Sequence, residues 1–243
     1  SESNFLDETK ELLERWGADA IRDSDGTKLD RDIKSLDAKI YTTYFVARGH
    51  NEFAREHMDE CQQLYLMSKR HTAAGTRLGI DFMDGYFDQQ VVPDLDHDPK
   101  KWWEVMDRTT GQALPPGEWD LSMEGNPSAP GGRAGEGGKL TVVIPHAEPF
   151  HEYTVSFLVY AIWDPTQMYN HITNDWGDKP HEIPFDVRQA ASGAFAKEYL
   201  VQWLKDNPDT DVVRFTTFFY HFTLVFDSDA KEKFVDWFGY GAT

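Results

Sequence analysis

The run YTVSFLVYAI at residues 153–162 is followed at once by the polar, aromatic stretch WDPTQMYNHITNDWGDKPHEIPFD at residues 163–186. A near-continuous apolar run is typical of a strand covered on both faces, as in a parallel sheet. Functional side chains gather at the carboxyl ends of such strands. We therefore interpret residues 153–163 as a parallel strand of an α/β fold, and the stretch after it as a place for functional side chains.

The segments before this strand alternate between helical and extended patterns. Residues 4–16 have helical apolar spacing with Gly17 as a C-terminal cap, and a short strand is predicted at residues 18–22. The segments KIYTTYFVA, NEFAREHMDECQ and QLYLMS then have the composition of a strand, a helix and a strand. This order predicts a parallel βαβ unit.

Between about residue 102 and residue 146, apolar and polar residues alternate with a period of two in segments separated by Gly and Pro clusters. This alternation predicts an inserted antiparallel β meander. Helical spacing returns at 192–206, a strand is predicted at 211–218, and a last helix at about 229–238. About five parallel strands result, whereas a closed (β/α) barrel needs eight. The predicted fold class is α/β, either a smaller open sheet or an incomplete TIM-type (β/α) barrel with an inserted antiparallel β meander.

Composition excludes several classes of partner. The formal charge of −18 argues against nucleic acid and anionic membranes, which are bound through clustered Lys and Arg. Cys61 is the one cysteine, so no intrachain disulfide is possible and a reducing compartment is expected. The first residues have no apolar signal region, and no run of about 18 apolar residues occurs. We expect a cytoplasmic protein with no membrane partner.

Three residues stand where the predicted strands place functional groups: Arg22, Asn170 and Arg214. Asn, His, Asp and Trp side chains next to Asn170 suit a sugar site, because amides and guanidinium groups bind hydroxyls and aromatic faces cover a pyranose ring. Alternatives stay open: Arg22 as a surface arginine in a turn, Arg214 in a buried ion pair, and Trp163 and Trp176 as packing residues of the loop.

Other catalytic patterns are missing or too weak. His57 and Cys61 are four apart, but two ligands are too few, so a packed histidine beside a buried thiol is predicted and no metal is expected. The nucleophile motif G-x-S-x-G does not occur. The 42 Asp and Glu residues allow a carboxylate pair, but the sequence alone does not select one.

The stretches WGADAIRDSDGT, WDPTQMYNHITNDWGDKPHEIPFD and TDVVRFTTFFYHFTLVFD, with VDWFGY, resemble the 1,3-β-galactosyl-N-acetylhexosamine phosphorylases, also called lacto-N-biose phosphorylases. The resemblance extends from Phe5 to Tyr240, apart from the Gly-rich segment GNPSAPGGRAGEGGK. It implies an intracellular, inverting enzyme. Such an enzyme cleaves galactosyl-β-1,3-N-acetylhexosamines with inorganic phosphate and releases α-galactose 1-phosphate and the free N-acetylhexosamine.

The resemblance also implies roles for residues. Arg22, Asn170 and Arg214 match family positions that line the sugar site, and Thr166 falls where the surroundings of the acceptor sugar vary among members. The general acid of the family, an Asp on a later barrel strand, is expected beyond Thr243. Residues 1–243 are then the N-terminal portion of a (β/α) barrel catalytic domain with a β insertion at about 102–146, and this portion is expected to be inactive alone.

The expected partners follow from this interpretation. They are the disaccharide, inorganic phosphate as co-substrate, the remainder of the same enzyme and, plausibly, a second copy in a homodimer; no cofactor is expected. The alternative from another class is a non-catalytic galactoside-binding module that keeps one wall of the pocket. A third alternative, a hydrolase that uses water, requires a carboxylate pair within the chain.

Overall fold

A computed structural model of the chain describes residues 5–23, 29–86, 90–124, 139–173, 177–216, 222–225 and 237–241. The chain divides into two compact units. We call the first the parallel unit, which comprises Ser1–Gly49 and Asp186–Thr217. The second is the antiparallel unit, which comprises His50–Phe185 and Phe218–Thr243.

The described elements include six α-helices and fourteen strands. The helices are α1 (Leu6–Trp16), α2 (Arg31–Lys34), α3 (Asn51–Glu56), α4 (Pro99–Trp102), α5 (Pro165–Thr173) and α6 (Ala190–Asp206). The strands are β1 (Ala20–Asp23), β2 (Lys39–Phe45), β3 (Gln63–Met67), β4 (His71–Thr72), β5 (Leu78–Ile80), β6 (Val91–Pro93), β7 (Glu104–Asp107), β8 (Gln112–Ala113), β9 (Asp120–Glu124), β10 (Lys139–Ile144), β11 (Glu152–Ala161), β12 (Val212–Thr216), β13 (Phe222–Val225) and β14 (Trp237–Gly241).

The parallel unit contains a sheet with the strand order β1-β2-β12, in which both pairings are parallel. The chain enters this sheet from α1, which ends as the sequence predicts. Gly17 has a φ of 60°, a left-handed conformation that glycine adopts at little cost, and its amide donates to the carbonyl of Glu14. The prediction of a helix up to residue 16 with a glycine cap is confirmed.

The helices of the parallel unit pack on one face of its sheet, which we call the helix face. The paired residues Ile21 and Ile40 are buried there with Leu29 and Ile33. Tyr44 lies on the same face, because it is an even number of residues from Ile40, and its ring centroid is 5.1 Å from that of Trp203 on α6. Residues at odd positions of β2 therefore point to the opposite face, which we call the second face.

The antiparallel unit is organised around β11. This strand pairs antiparallel with β3, β4, β6 and β7, and all but two of its ten residues are buried. A second sheet has the order β5-β10-β9 and is also antiparallel. Large apolar side chains fill the core, among them Phe82, Phe157 and Trp119, each no more than 1% exposed.

Two predictions about parallel pairing are wrong. The predicted βαβ unit of residues 39–68 does not form, because β3 pairs antiparallel with β11 and not with β2. The strand predicted at 153–163 is β11, and it is antiparallel to all of its described partners. An apolar run indicates that both faces of the strand are buried. A strand at the centre of a covered antiparallel sheet is buried on both faces as well, so the run does not show the direction of its neighbours.

The strands predicted within 102–146 are antiparallel, but they are part of a larger arrangement. Within this segment, β7 pairs with β11 and β10 pairs with β5, so both contact strands that lie outside it. Three of the strands predicted to be parallel, β1, β2 and β12, do pair in parallel. The described strands form open sheets, without a closed barrel.

Two helix predictions also need correction. The stretch at 163–186 was interpreted as loop, yet residues Pro165–Thr173 form α5. Of the helix predicted at about 229–238, residues 229–236 lie outside the described residues, and Trp237 and Phe238 begin strand β14. Among the helices that the structure describes, none is long and apolar enough to cross a membrane.

Candidate functional site

Two of the predicted site residues, Arg22 and Arg214, lie on the strands that flank β2. Arg22 is in register with Tyr41, and Arg214 is in register with Thr43. Residues in register on adjacent strands point to the same side of a sheet, as do residues two apart on one strand. Both arginines therefore extend from the second face. Their Cα atoms are roughly 12 Å apart, because two strand spacings of about 4.8 Å combine with an offset of two residues, about 6.6 Å, along the strands.

Both guanidinium groups are available to a ligand. Arg22 and Arg214 are exposed, and neither forms a hydrogen bond or ion pair with another residue in the described ranges. The alternative of a buried ion pair for Arg214 is therefore wrong. Its strand is the last in the order of the described strands, and the neighbouring Phe215 is 52% exposed as well. An apolar sequence around Arg214 does not place it in a core.

The central strand contributes residues that the sequence analysis did not single out. Thr43 lies in register with Arg214 and is 7% exposed, and its hydroxyl has no hydrogen-bond partner among the described residues. Phe45 is two residues further along the same face, and the guanidinium of Arg48 lies 3.6 Å from the centre of its ring. Register selects these residues, and register is not visible in a single sequence.

Asp164 and Pro165 start helix α5 immediately after β11. The carboxylate of Asp164 accepts a hydrogen bond of 2.8 Å from the amide of Gln167, and Pro165 occupies the first helical position. Both are standard signals for a helix start, because the carboxylate satisfies a free amide and proline has none to lose. The sequence therefore contained the signal for α5, although we interpreted this stretch as a loop.

Helix α5 presents the other two predicted site residues, Thr166 and Asn170. They are four positions apart, so they lie on one side of the helix, and both are half-buried. They belong to the antiparallel unit, whereas Arg22 and Arg214 belong to the parallel unit. The structure thus pairs the site residues as two arginines on one sheet face and two polar residues on one helix. That the two pairs meet at one ligand stays a prediction.

Trp163 anchors the start of α5 and does not present a free ring. The indole is 6% exposed and its N–H donates to the side-chain oxygen of Gln167. The side-chain amide nitrogen of Gln167 donates in turn to the carbonyl of Pro180 at 2.7 Å. Our alternative of a packing role is therefore correct for Trp163, whereas Trp176 lies outside the described residues. A sugar platform at Trp163 is not supported.

Two histidines complete this anchor. The ring of His181 stacks on Trp163 with centroids 3.5 Å apart, and His171 meets the indole edge-on at 5.0 Å. The two imidazoles are 5.2 Å apart. Burial lowers the pKa of His181, and the neighbouring His171 lowers it further, because a second cation so close is unfavourable. Folding therefore favours the neutral form of His181.

Asn51 holds the segment around His181 in place next to this cluster. Its side-chain amide donates to the carbonyl of His181 at 2.7 Å and accepts from the amide of Ile183 at 2.9 Å. The amide of Asp164 donates to the carbonyl of Glu182 at 2.7 Å. The segment around residue 181 is thereby tied to the start of α5, which fixes the helix that carries Thr166 and Asn170.

The described residues contain no group of three or more His, Cys, Asp or Glu side chains arranged to hold a metal ion. Cys61 is buried, and its thiol donates to the carbonyl of Ala54 at 3.4 Å. The four predicted site residues, Arg22, Thr166, Asn170 and Arg214, offer guanidinium, hydroxyl and amide groups. Such groups bind neutral hydroxyls and oxyanions.

Comparison with known proteins identifies the class to which this fold and site belong. Residues 1–243 match the family model described as the lacto-N-biose phosphorylase N-terminal TIM barrel domain. The match spans the whole chain, so the chain belongs to this family. The resemblance inferred from the sequence is confirmed.

Individual relatives agree with this assignment. The chain is 51% identical over 243 residues to 1,3-β-galactosyl-N-acetylhexosamine phosphorylase of Bifidobacterium longum subsp. longum and covers 30% of it. It is 49% identical over 241 residues to a 1,3-β-galactosyl-N-acetylhexosamine phosphorylase of Lachnoclostridium phytofermentans, of which it covers 31%. It is 36% identical to the D-galactosyl-β-1→4-L-rhamnose phosphorylase of the same organism. The chain thus spans about a third of the length of the relatives it matches.

Proposed function

We propose that the chain forms the N-terminal part of the catalytic barrel of a phosphorylase that acts on galactosyl-β-1,3-N-acetylhexosamines such as lacto-N-biose and galacto-N-biose. The observation that supports this proposal most strongly is that Arg22 and Arg214 lie on one face of a parallel sheet, without an ion-pair partner in the described ranges, in a member of this family. In a (β/α) barrel, the carboxyl ends of the strands hold the active site. β1, β2 and β12 are then part of an incomplete barrel.

The proposed reaction needs few protein groups. A phosphate oxygen attacks the anomeric carbon of galactose, the bond from that carbon to the glycosidic oxygen breaks, and a general acid gives a proton to the leaving oxygen. Attack from the opposite face inverts the anomeric centre, so the products are α-galactose 1-phosphate and the free N-acetylhexosamine. Because phosphate is the nucleophile, one carboxylic acid is enough. We place that acid outside this chain.

The roles of the chain's residues in this proposal follow from their chemistry. Arg22 and Arg214 donate planar pairs of N–H groups, which suit sugar hydroxyls and phosphate oxygens. Asn170 both donates and accepts, so it can bind a hydroxyl or an acetamido group. Thr166, one turn before Asn170, contacts the acceptor sugar. No side chain of this chain is required to react covalently.

The relatives support a division of labour within the substrate. Two of the relatives described above are named for a galactosyl group linked to an N-acetylhexosamine, and the third is named for a galactosyl group linked to rhamnose. The galactosyl group is common to these names, and the acceptor differs. We therefore assign Arg22, Asn170 and Arg214 to the shared part of the substrate and Thr166 to the variable part.

A galactoside-binding module without catalysis is the second candidate. Such a module binds a galactoside with the same hydrogen-bond donors and acceptors but needs no general acid. The described residues contain these donors and acceptors, and no general acid is assigned among them. A homodimer and a cytoplasmic location also stay predictions; the latter is supported by the single Cys61.

Phosphorolysis distinguishes these candidates. The 243-residue chain and an enzyme extended by the remaining two thirds of a relative's length are each incubated with lacto-N-biose and phosphate, and galactose 1-phosphate is measured. We expect release by the extended enzyme and none by the 243-residue chain. Binding of galactosides by the extended enzyme without phosphorolysis would favour the module, and full activity of the 243-residue chain would show that the general acid lies within it.

A further inference from the structure

Thr43 occupies a distinctive place on the second face of the parallel sheet. It lies on the central strand, in register with Arg214 and two residues beyond Tyr41, which is in register with Arg22. Its position is therefore between the two arginine strands and towards the carboxyl end of β2. In an α/β barrel that end faces the active site.

The hydroxyl of Thr43 is buried without a partner. Thr43 is 7% exposed, and its Oγ1 has no hydrogen bond within the described part of the chain. A buried hydroxyl without a partner destabilises a fold, and a valine of the same shape would avoid that cost. A group of this kind in a native chain calls for a function or a missing partner.

Thr42 shows that the fold can satisfy a threonine at the adjacent position. Its hydroxyl lies 3.2 Å from that of Thr210, next to the start of β12. The two neighbouring threonines therefore differ in a clear way. Thr42 points to the helix face and has a protein partner, whereas Thr43 points towards the arginines and has none among the described residues.

We propose that Thr43 is a substrate-binding residue, whose hydroxyl binds an oxygen of the same ligand that Arg22 and Arg214 hold. This inference rests on the proposed function. Guanidinium groups only donate, so the ligand between them must offer several acceptor oxygens. Both a galactosyl group and phosphate have this chemistry. The exposed arginine side chains have rotamer freedom, so they can move to admit a ligand oxygen to the hydroxyl.

The test uses the full-length enzyme with Thr43→Val, which removes the hydroxyl, and Thr43→Ser, which keeps it. We expect Thr43→Val to lower kcat/KM for phosphorolysis by roughly 5- to 100-fold, the range for one lost hydrogen bond to a buried group, and Thr43→Ser to retain most of the activity. A raised KM for phosphate with an unchanged KM for lacto-N-biose assigns the hydroxyl to phosphate. The reverse pattern assigns it to the galactosyl group.

Thr42→Val is the matched control, because it changes the adjacent residue on the opposite face. It is expected to lower Tm and to leave both KM values unchanged, whereas Thr43→Val is expected to leave Tm unchanged or to raise it. Unaltered kcat/KM and KM values in Thr43→Val would overturn the proposal. So would an activity loss in Thr43→Val that Thr43→Ser does not restore.

Equilibrium titration separates failure of this inference from failure of the proposed function. Wild type and Thr43→Val are titrated with galactose and with inorganic phosphate. A wild-type enzyme without phosphorolysis contradicts the proposed function, and the role of Thr43 is then decided by binding alone. Weaker binding of either ligand by Thr43→Val supports the role of Thr43. Equal binding of both ligands, or none by the wild type, contradicts it.

Discussion

The imidazole of His181 stacks on the indole of Trp163, with 3.5 Å between centroids and 11° between planes. This contact links the segment after α5 to the first turn of the helix, since Trp163 also donates to Gln167. The helix that carries Thr166 and Asn170 is therefore fixed by a cluster that contains two histidines. Its stability should depend on the protonation of His181, whose pKa is lowered by burial.

Acidification should destabilise the chain partly through His181. Burial and the nearby His171 lower the pKa of His181, so folding favours its neutral form. The stabilisation from this group is complete above the unfolded pKa of about 6.5 and is lost as the pH falls through the lowered pKa. We expect Tm to fall between neutral pH and pH values of about 5, and to fall less steeply in His181→Phe, which keeps a stacking ring.

The comparison is between two pH curves measured by thermal unfolding. Burial also lowers the pKa values of His50 and His71, so part of the slope should persist in His181→Phe. Converted to free energy of unfolding, the pH slopes of wild type and His181→Phe can differ by at most about 1.4 kcal/mol per pH unit, the value for one proton. Parallel curves for wild type and His181→Phe would contradict the prediction.

Removal of the cap at Asp164 should destabilise α5. Asp164→Ala leaves the amide of Gln167 without its 2.8 Å acceptor, and we expect a loss of about 1 kcal/mol in the free energy of unfolding. Asp164→Asn should restore most of it, because asparagine also caps helices. Denaturant titration measures the effect, with the exposed Asp178→Ala as a control that should change little. Equal losses at Asp164 and Asp178 would argue against the cap.

Tyr44 provides a prediction for the helix face of the parallel unit. Burial, with a smaller effect of Tyr199, raises the pKa of Tyr44 to about 12. Folding favours the neutral phenol, so its stabilisation is complete below the unfolded pKa of about 10 and is lost as the pH rises towards the folded value. Its hydroxyl has no partner among the described residues. Tyr44→Phe should therefore be as stable as wild type at neutral pH and more stable at pH values of about 11, as measured by Tm. A lower Tm at neutral pH would indicate a lost hydrogen bond.

Asn170→Ala in the full-length enzyme should weaken transition-state binding. The amide lies on α5, one turn after Thr166, and we expect loss of a hydrogen bond to the substrate to cost roughly 1–3 kcal/mol. Steady-state phosphorolysis of lacto-N-biose gives kcat/KM, and the exposed Arg15→Ala serves as a control. An unchanged kcat/KM in Asn170→Ala would remove this residue from the site.

The parts of the fold that depend on local sequence were predictable. Helix α1 with its Gly17 cap and the three strands β1, β2 and β12 follow from apolar spacing and turn chemistry. The partners of β11 were not predictable, because apolar composition records burial and not the direction of the neighbouring strand. The start of α5 at Asp164 and Pro165 could have been recognised from the sequence.

The candidate site was predictable in its residue types but not in its geometry. Arg22 and Arg214 were selected by their places at predicted strands, yet the sequence left open whether Arg214 is buried. Thr43 could not be distinguished from Thr42, since only pairing with Arg214 shows which of them shares the arginine face. A one-residue shift in register would exchange their roles.

The central claim is that Arg22 and Arg214 bind one ligand from one face of the parallel sheet. A double-mutant cycle in the full-length enzyme tests it most directly. The measured quantity is kcat/KM for phosphorolysis of lacto-N-biose in Arg22→Ala, Arg214→Ala and the double variant. The exposed Arg15→Ala is the control. We expect each single variant to lose roughly 10- to 150-fold, as for a charged hydrogen bond, and the double variant to lose less than the product of the two, because residues that share a ligand are coupled. Wild-type kcat/KM in either single variant, or losses that multiply fully in the double variant, would contradict the claim.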